Sequence, residues 1–293
     1  MSFVNAKEML LAAQKGGYAV PAFNAENMEM VQAIIAAAEK EQSPVMIQTT
    51  SPTVRYITLP MMVAMVRSMA LRTTIPVALH LDHCENPDDV VAAMKEGYTS
   101  VMYDGSKLSY GENAENTRRL ATLAHDYGVT IEAELGTLGG KEDGAGAGVL
   151  AYTDVEEART FAAYTGIDYL AVAIGTAHGF YKGEPKLDFD RLAQIREVVD
   201  APLVLHGASG ISDSQVKKCI SLGITKVNIA TELRAAATKA VRTALEDENM
   251  IDPKKYLAPA KDNAARTISD DHSQPTFLSV LFRTGKRFLL YSS

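Results

Sequence analysis

The chain of 293 residues contains no tryptophan, only two cysteines and only six histidines, and each scarcity narrows what it can be. Cys84 and Cys219 make no disulfide framework, so stability has to come from a packed core, and the expected compartment is the reducing cytoplasm. There is no Lys/Arg-rich stripe and the formal net charge is -7, which argues against nucleic acid or an anionic membrane as partner. Long apolar runs are missing too: Leu59 to Val66 is far short of the roughly 18 residues a membrane span requires. Met1 to Gln14 carries Lys7 and Glu8 and lacks a basic segment followed by an apolar one, so no signal peptide is expected. The hydrophobic content of 47% is ample for a core, and a small molecule is the expected partner.

What is present is a repeating order. Strand-like runs at 18–24, 44–49, 77–83, 100–104, 130–136, 169–175, 202–207 and 226–230 alternate with segments of helical spacing, after a first short helix at 6–15. Asn86-Pro87 and Ser212-Asp213 read as helix starts, and Gly97, Gly128, Gly166 and Gly223 as helix stops. Eight repetitions of strand then helix predict an α/β fold, a (β/α)8 TIM barrel, with no linker to divide it.

A barrel of this kind carries its chemistry at the carboxyl ends of its strands. Val77-Ala-Leu-His-Leu-Asp-His-Cys84 has that form, apolar for most of its length and ionisable at its end. His83, His178 and His206 lie in or just after three separate strand-like runs. Three imidazoles brought to one place suit a catalytic Zn2+, because the fourth position stays open. For any one of them a hydrogen-bonded strand-end residue is the simpler account; the set of three favours the shared ion. Asn24, Ser51, Asp82, Asp104, Glu134 and Asn228 are placed at the same end, and any one of them alone fits a solvated loop start equally well.

Two loops stand out. The stretch 135–148 after strand five is rich in glycine and carries Glu142 and Asp143, which suits either a lid that delivers a carboxylate or a plain surface loop. Gly207-Ala208-Ser209-Gly210 and Asn228-Ile229-Ala230-Thr231 follow strands seven and eight and lead into helices, where a barrel commonly binds phosphate.

His80-Leu-Asp-His83, Glu134-Leu-Gly-Thr-Leu-Gly-Gly-Lys-Glu-Asp-Gly144, Gly175-Thr-Ala-His-Gly-Phe-Tyr181, Leu205-His-Gly-Ala-Ser-Gly210 and Lys226-Val-Asn-Ile-Ala-Thr-Glu232 together resemble the class II, metal-dependent ketose-bisphosphate aldolases. Within that family the likeness is greatest to the tagatose-bisphosphate aldolases, with fructose-bisphosphate aldolases next. The resemblance implies Zn2+ on His83, His178 and His206, and Asp82 as the acid/base at the C4 oxygen. It implies that Glu142 moves the proton at C3, and that Asp104 and Glu134 lie near a second metal position. It further implies that Gly179 and the loops Gly207, Ala208, Ser209 and Asn228, Ile229, Ala230, Thr231 hold dihydroxyacetone phosphate, with a monovalent cation (Na+ or K+) near the phosphate in several relatives. The implied reaction is reversible cleavage of a ketose 1,6-bisphosphate to dihydroxyacetone phosphate and glyceraldehyde 3-phosphate by a homodimer or homotetramer.

A Schiff-base aldolase needs a desolvated lysine inside the barrel. Strand six has none, and Lys226 is expected to open strand eight at the far end, so the metal mechanism is preferred. The rival from another class is a non-catalytic or chaperone-like sugar-phosphate-binding subunit; retention of Asp82 and all three histidines favours the enzyme. The likeness covers residues 1–265. Residues 266–293 form an atypical tail that carries Phe277, Phe282 and Phe288, and it reads as an aberrant terminus of the gene in preference to a surface for a partner subunit. His272 in that tail is expected to be a bystander, and Cys84 departs from the His or Gly expected after the histidine-aspartate-histidine motif.

Overall fold

Successive residues of a strand point to opposite faces, so a strand that is buried on both sides belongs to a sheet covered on both sides. All eight long strands here are buried along nearly their whole length. In the computed structural model, which describes residues 2–142, 145–146, 150–179, 181 and 183–269, they are β1 (Val20–Asn24), β2 (Val45–Thr50), β3 (Val77–Cys84), β4 (Ser100–Tyr103), β5 (Thr130–Leu135), β6 (Tyr169–Val172), β7 (Leu203–Leu205) and β8 (Ile224–Ile229). Each pairs in parallel with its neighbours in chain order, and β8 pairs with β1 to close the (β/α)8 barrel.

Alternation sorts the apolar residues into two cores. The outward positions, such as Phe23, Ile47, Leu79, Leu81, Val101, Ile131, Leu170, Leu203 and Val227, pack under the helices in one large cluster. The inward positions Val20, Ala22, Met46, Ala78, Tyr169, Ala171 and Val204 form a second cluster with Ala6, Met9, Leu10 and Ala13. Those last residues come from α1 (Lys7–Gly16) and the turn before it, so the first helix seals the floor of the barrel.

The outer ring is α2 (Met28–Lys40), α3 (Ser51–Ile57), α4 (Leu59–Ala70), α5 (Pro87–Glu96), α6 (Tyr110–Asp126), α7 (Val155–Thr165), α8 (Phe189–Val198), α9 (Asp213–Ser221), α10 (Thr231–Ala244) and α11 (Pro253–Ile268). Several starts follow from local chemistry. Asn27 and Asn86 accept from the first-turn amides of α2 and α5, and Ser109 with Glu112 forms a capping box on α6. Two helices have no counterpart in the sequence-based reading. α3 is short and starts Ser-Pro-Thr, a turn-like signature, and α11 carries Pro259 within it, which ordinarily marks a break. α11 packs across α10 and α2.

Among the described residues no helix is long and apolar enough to cross a membrane. The tail from residue 270 on, with His272, Phe277, Phe282 and Phe288, lies outside the described residues, as do Asp143 and the side chain of Glu142.

Sealing of the floor by α1 has a measurable consequence. Leu10 is fully buried there, so Leu10→Ala is expected to lower the unfolding free energy by about 2–5 kcal/mol in a denaturant titration. A loss under about 1 kcal/mol would mean that the floor tolerates a cavity and α1 contributes little.

Candidate active site

Above the apolar floor the inward positions turn polar, two residues at a time. β3 continues Ala78, His80, Asp82; β5 gives Glu132 and Glu134; β8 gives Lys226 and Asn228; β2 gives Gln48. His80, Glu132, Lys226, Gln48 and Asp82 are each 0% exposed. The barrel therefore holds a buried charged layer beneath the expected site.

At the carboxyl ends the three expected histidines meet. The ring centres of His83 and His178 are 4.9 Å apart, those of His83 and His206 are 4.4 Å apart, and nitrogen atoms of all three lie within 4.8 Å of one another. His83 is the last residue but one of β3, where the register against β4 slips, and it takes a left-handed backbone at φ 46°, rare for a residue with a side chain. That twist turns its ring toward the other two. His178 comes instead from a short strand, Ala177–His178, beyond the end of β6. It pairs with another short strand, Gly139–Glu142, from the glycine-rich stretch after β5.

Two glycines hold His178 in place. Gly140 (φ 93°) and Gly207 (φ 64°) lie against the Ala177–His178 backbone so closely that a Cβ at either would overlap a carbonyl oxygen of that strand. Tyr181 adds a tie, accepting from the Ala177 amide and donating to the Gly207 carbonyl, both at 2.7 Å. The glycine-rich stretch, read from sequence as a lid or a surface loop, is in its first half part of the site's frame.

Carboxylates surround the histidines. Asp104 lies 2.9 Å from Nδ1 of His83, Glu134 lies 3.0 Å from Nδ1 of His206, and Glu132 lies 2.8 Å from Nε2 of His206. Burial and repulsion by His83 press the His206 pKa down, but the bonds to Glu132 and Glu134 outweigh them and lift it to about 9. For His178 burial, then the charges of His83 and His206, outweigh the pull of Asp82 and Asp104 and push the pKa down to about 3. Burial and the Asp104 charge raise Glu134, whereas the His83 and Ser106 bonds hold Asp104 well below the usual carboxylate range against the cost of its burial. Imidazoles ringed by carboxylates are a ligand set that a divalent metal accepts by displacing the proton from the ligating nitrogen. A second such set is His83, Asp104 and Glu134.

Asp82 accepts from Gln48 Nε2 at 3.0 Å and from Asn228 Nδ2 at 3.2 Å. Burial favours its protonated form, but His83, Lys226 and His80 together hold the carboxyl well below its usual range. Asn24 is drawn in through Gln48, whose amide donates to its Oδ1 at 2.7 Å. Asn24 Nδ2, Gln48 Oε1 and Asn228 Oδ1 are buried without a protein partner, so this side of Asp82 offers hydrogen bonds to a polar ligand. Ser51, the first residue of α3, turns its hydroxyl to the Cys84 thiol, whose pKa is pushed up by burial. That thiol is therefore the reverse of an activated one.

The two loops expected to bind phosphate are neighbours, because β7 and β8 pair. Ala208 and Ser209 are buried, Gly179 follows directly on His178, and Ile229, Ala230 and Thr231 lead into α10, whose start has no side-chain cap. Glu232 occupies part of this region by accepting from the Gly210 amide at 2.7 Å. The reading of the sequence did not single out Glu232 or Tyr181.

The placing of Lys226 requires a correction. It does not open strand eight at the far end: β8 begins at Ile224, the register against β7 slips between Leu203 and Val204, and Lys226 is inside the barrel beside Val204. Its Nζ is 2.8 Å from Glu132 and 3.9 Å from Asp82. A desolvated lysine is thus present, but it is salt-bridged below Asp82. His80, Gln48, Glu132 and Lys226 were all missed as site residues; for His80, Glu132 and Lys226 the available signal was their period of two from Asp82, Glu134 and Asn228.

The model of the family Fructose-bisphosphate aldolase class-II matches residues 4–274. The chain belongs to this family. It is 45% identical over 264 residues to the D-tagatose-1,6-bisphosphate aldolase subunit GatY of Klebsiella oxytoca, covering 89% of this chain and 93% of that protein. It is also 45% identical over 273 residues to a fructose-bisphosphate aldolase of Geobacillus stearothermophilus, covering 92% and 95%. The crystal structure of the YdjI aldolase from Escherichia coli K12 superposes with a TM-score of 0.79 at 35% identity, over 90% of this chain and 93% of that one. This class II aldolase therefore has the expected fold.

The glycine contacts give a test of how the site is held. Gly207→Ala is expected to cost about 1–3 kcal/mol of stability and to raise amide exchange at Ala177 and His178. Gly183, which has nothing within 4 Å of an added Cβ, serves as the control for the same substitution. Equal behaviour of the two variants would show that the strand carrying His178 does not depend on Gly207.

Proposed function

We propose that this class II aldolase carries out zinc-dependent, reversible cleavage of a ketose 1,6-bisphosphate, with D-tagatose 1,6-bisphosphate as the first choice and D-fructose 1,6-bisphosphate as the second. The observation that carries the proposal is the meeting of His83, His178 and His206 beside a buried, ionised Asp82. The three imidazoles would hold the zinc, with Asp104 and Glu134 as candidates for a second metal position.

The division of labour follows from the chemistry. Asp82 takes the proton of the C4 hydroxyl as the C3–C4 bond breaks, so that C4 becomes the aldehyde carbon and the bonding electrons stay on C3 as an enediolate. Zinc, when bound, supplies an electrophile that draws off the negative charge of the ketose end without a proton transfer. Gln48 and Asn228 fix the Asp82 carboxylate, and Asn24 and Asn228 retain polar atoms to turn toward the substrate. Glu142 then protonates C3. Its short strand pairs with Ala177–His178 through Gly139 and Gly140. The loops Gly207–Ser209 and Asn228–Thr231, with Gly179, would take the phosphate of the dihydroxyacetone half through amides and hydroxyls. A monovalent cation at the phosphate and a homodimeric or homotetrameric assembly belong to the same proposal. Preference for the tagatose sugar rests on the sequence motifs, since the two curated relatives are equally identical to the chain.

The test is initial cleavage rates on both sugars with zinc-loaded protein, after chelation, and after restoring zinc. Activity is expected to vanish and return with the metal, and Asp82→Ala is expected to lose about 100- to 10,000-fold in kcat with zinc still bound. The larger kcat/KM names the sugar. Because Lys226 is buried in the barrel, borohydride with substrate is added as a control; covalent trapping at Lys226 with activity that survives chelation would overturn the zinc mechanism in favour of a Schiff base.

A further inference from the structure

The buried layer under the site contains a chain of contacts that the reaction as described does not use. Lys226 Nζ is 2.8 Å from Glu132 Oε2, and Glu132 Oε1 is 2.8 Å from Nε2 of His206. Lys226, Glu132 and His206 are all essentially unexposed, at 0%, 0% and 1%. His206 is thus gripped by carboxylates at both ring nitrogens, Glu132 on Nε2 and Glu134 on Nδ1. A histidine can ligate a metal through only one nitrogen, and that nitrogen has to give up its carboxylate partner.

The two carboxylates are not equally free to let go. Glu132 is bound to an ammonium group that has no water around it, so releasing His206 would mean rearranging a buried ion pair at the cost that follows from breaking one. His80 adds to the hold, with Nε2 at 3.4 Å from Glu132 and 3.5 Å from Asp82, while its Nδ1 is tied to Ser100 at 2.7 Å. Among the described residues no ammonium or guanidinium is in ion-pair contact with Glu134: its close cationic neighbours are His206 itself and His83 at 3.8 Å, and Lys107, paired to Glu85, acts on it only at longer range. Asp104 faces the same His83 nitrogen, Nδ1, at 2.9 Å and repels Glu134.

From this asymmetry we infer that Lys226, acting through Glu132, is a positioning residue that fixes His206 as the Nε2–H tautomer and so presents Nδ1 to the metal. The inference rests on the reading that zinc is held by His83, His178 and His206, and it assigns a task to a lysine that the metal mechanism otherwise leaves idle. It also explains why a lysine in this layer is compatible with metal chemistry: its charge is spent on orienting a ligand. The group His80, Asp82 and Glu132 has metal-like spacing, and the Lys226 ammonium is the cation that already answers to two of those carboxylate groups, Glu132 directly and Asp82 at 3.9 Å.

The experiment uses the full-length protein labelled with 15N-histidine and loaded with zinc. Long-range 1H–15N correlation is expected to show His206 with the proton on Nε2 and the metal shift on Nδ1; a proton on Nδ1 would overturn the inference. Zinc affinity by competition with a chromophoric chelator adds the second arm. Glu132→Gln keeps the volume of the side chain but can donate to Nε2 and reverse the tautomer, and Lys226→Met removes the anchor. Each is expected to weaken zinc binding about 10- to 100-fold, and the double variant to be no worse than the weaker-binding single one, because both act through one link. Wild-type affinity in a folded Lys226→Met protein would equally overturn it. If a variant does not fold, as judged by far-ultraviolet circular dichroism, the wild-type tautomer alone decides. Failure of the wild type to bind one zinc with shifts at the three histidines would instead sink the functional reading on which the inference stands.

Discussion

Everything at the mouth of this barrel depends on how buried charge is balanced one layer below it. Closing eight strands into a tube forces every second side chain inward, and at the level of His80, Glu132 and Lys226 those side chains are ionisable and fully buried. Isolated charges in such a place would be prohibitive, and paired ones are tolerated only when hydrogen bonds satisfy them. Lys226 to Glu132, Glu132 to His206, Asn228 and Gln48 to Asp82 supply those bonds. The layer is held between an apolar floor sealed by α1 and the histidines above.

The same arrangement sets the electrostatics of the site. The charges of His83, Lys226 and His206 and a bond from His80 keep Asp82 ionised in a position where burial alone would protonate it. Burial and the charges of His83 and His206 push His178 toward the neutral form against the pull of Asp82 and Asp104, whereas His206 between two glutamates is pushed the other way. Three chemically identical side chains thus have different characters because of what packs against them. A metal bound among them meets one imidazole that is already neutral and two that are oriented by carboxylates.

Backbone geometry completes the frame in a way distinct from side-chain pairing. His178 is the only one of the three histidines that is not on or directly beyond a barrel strand, and it depends on a small three-stranded arrangement above the barrel. Gly140 and Gly207 permit the close approach there, and Tyr181 joins it to the loop after β7. The loop considered for phosphate and the strand that carries a histidine are therefore one packed unit, so ligand binding at one is mechanically close to the other.

Much of this was legible in the residues alone. Eight apolar runs with helices between them specified the barrel, because period and punctuation are local properties of a sequence. Residues of metal-binding and acid/base type at the run ends marked the mouth, since strand ends in a barrel converge. The residues that the sequence did not reveal fail for reasons of the same kind. Lys226, Glu132, His80 and Gln48 look like ordinary polar residues in or beside a strand until the register between β7 and β8 and the closure of the tube decide which face is inward. α11 was hidden by Pro259, which packing against α10 and α2 overrides. Which nitrogen of which histidine meets which carboxylate is a matter of distances between residues far apart in the chain, 21 positions for His83 and Asp104 and 74 for Glu132 and His206. Residue type is written in the sequence, but proximity across a closed barrel exists only once the barrel has closed.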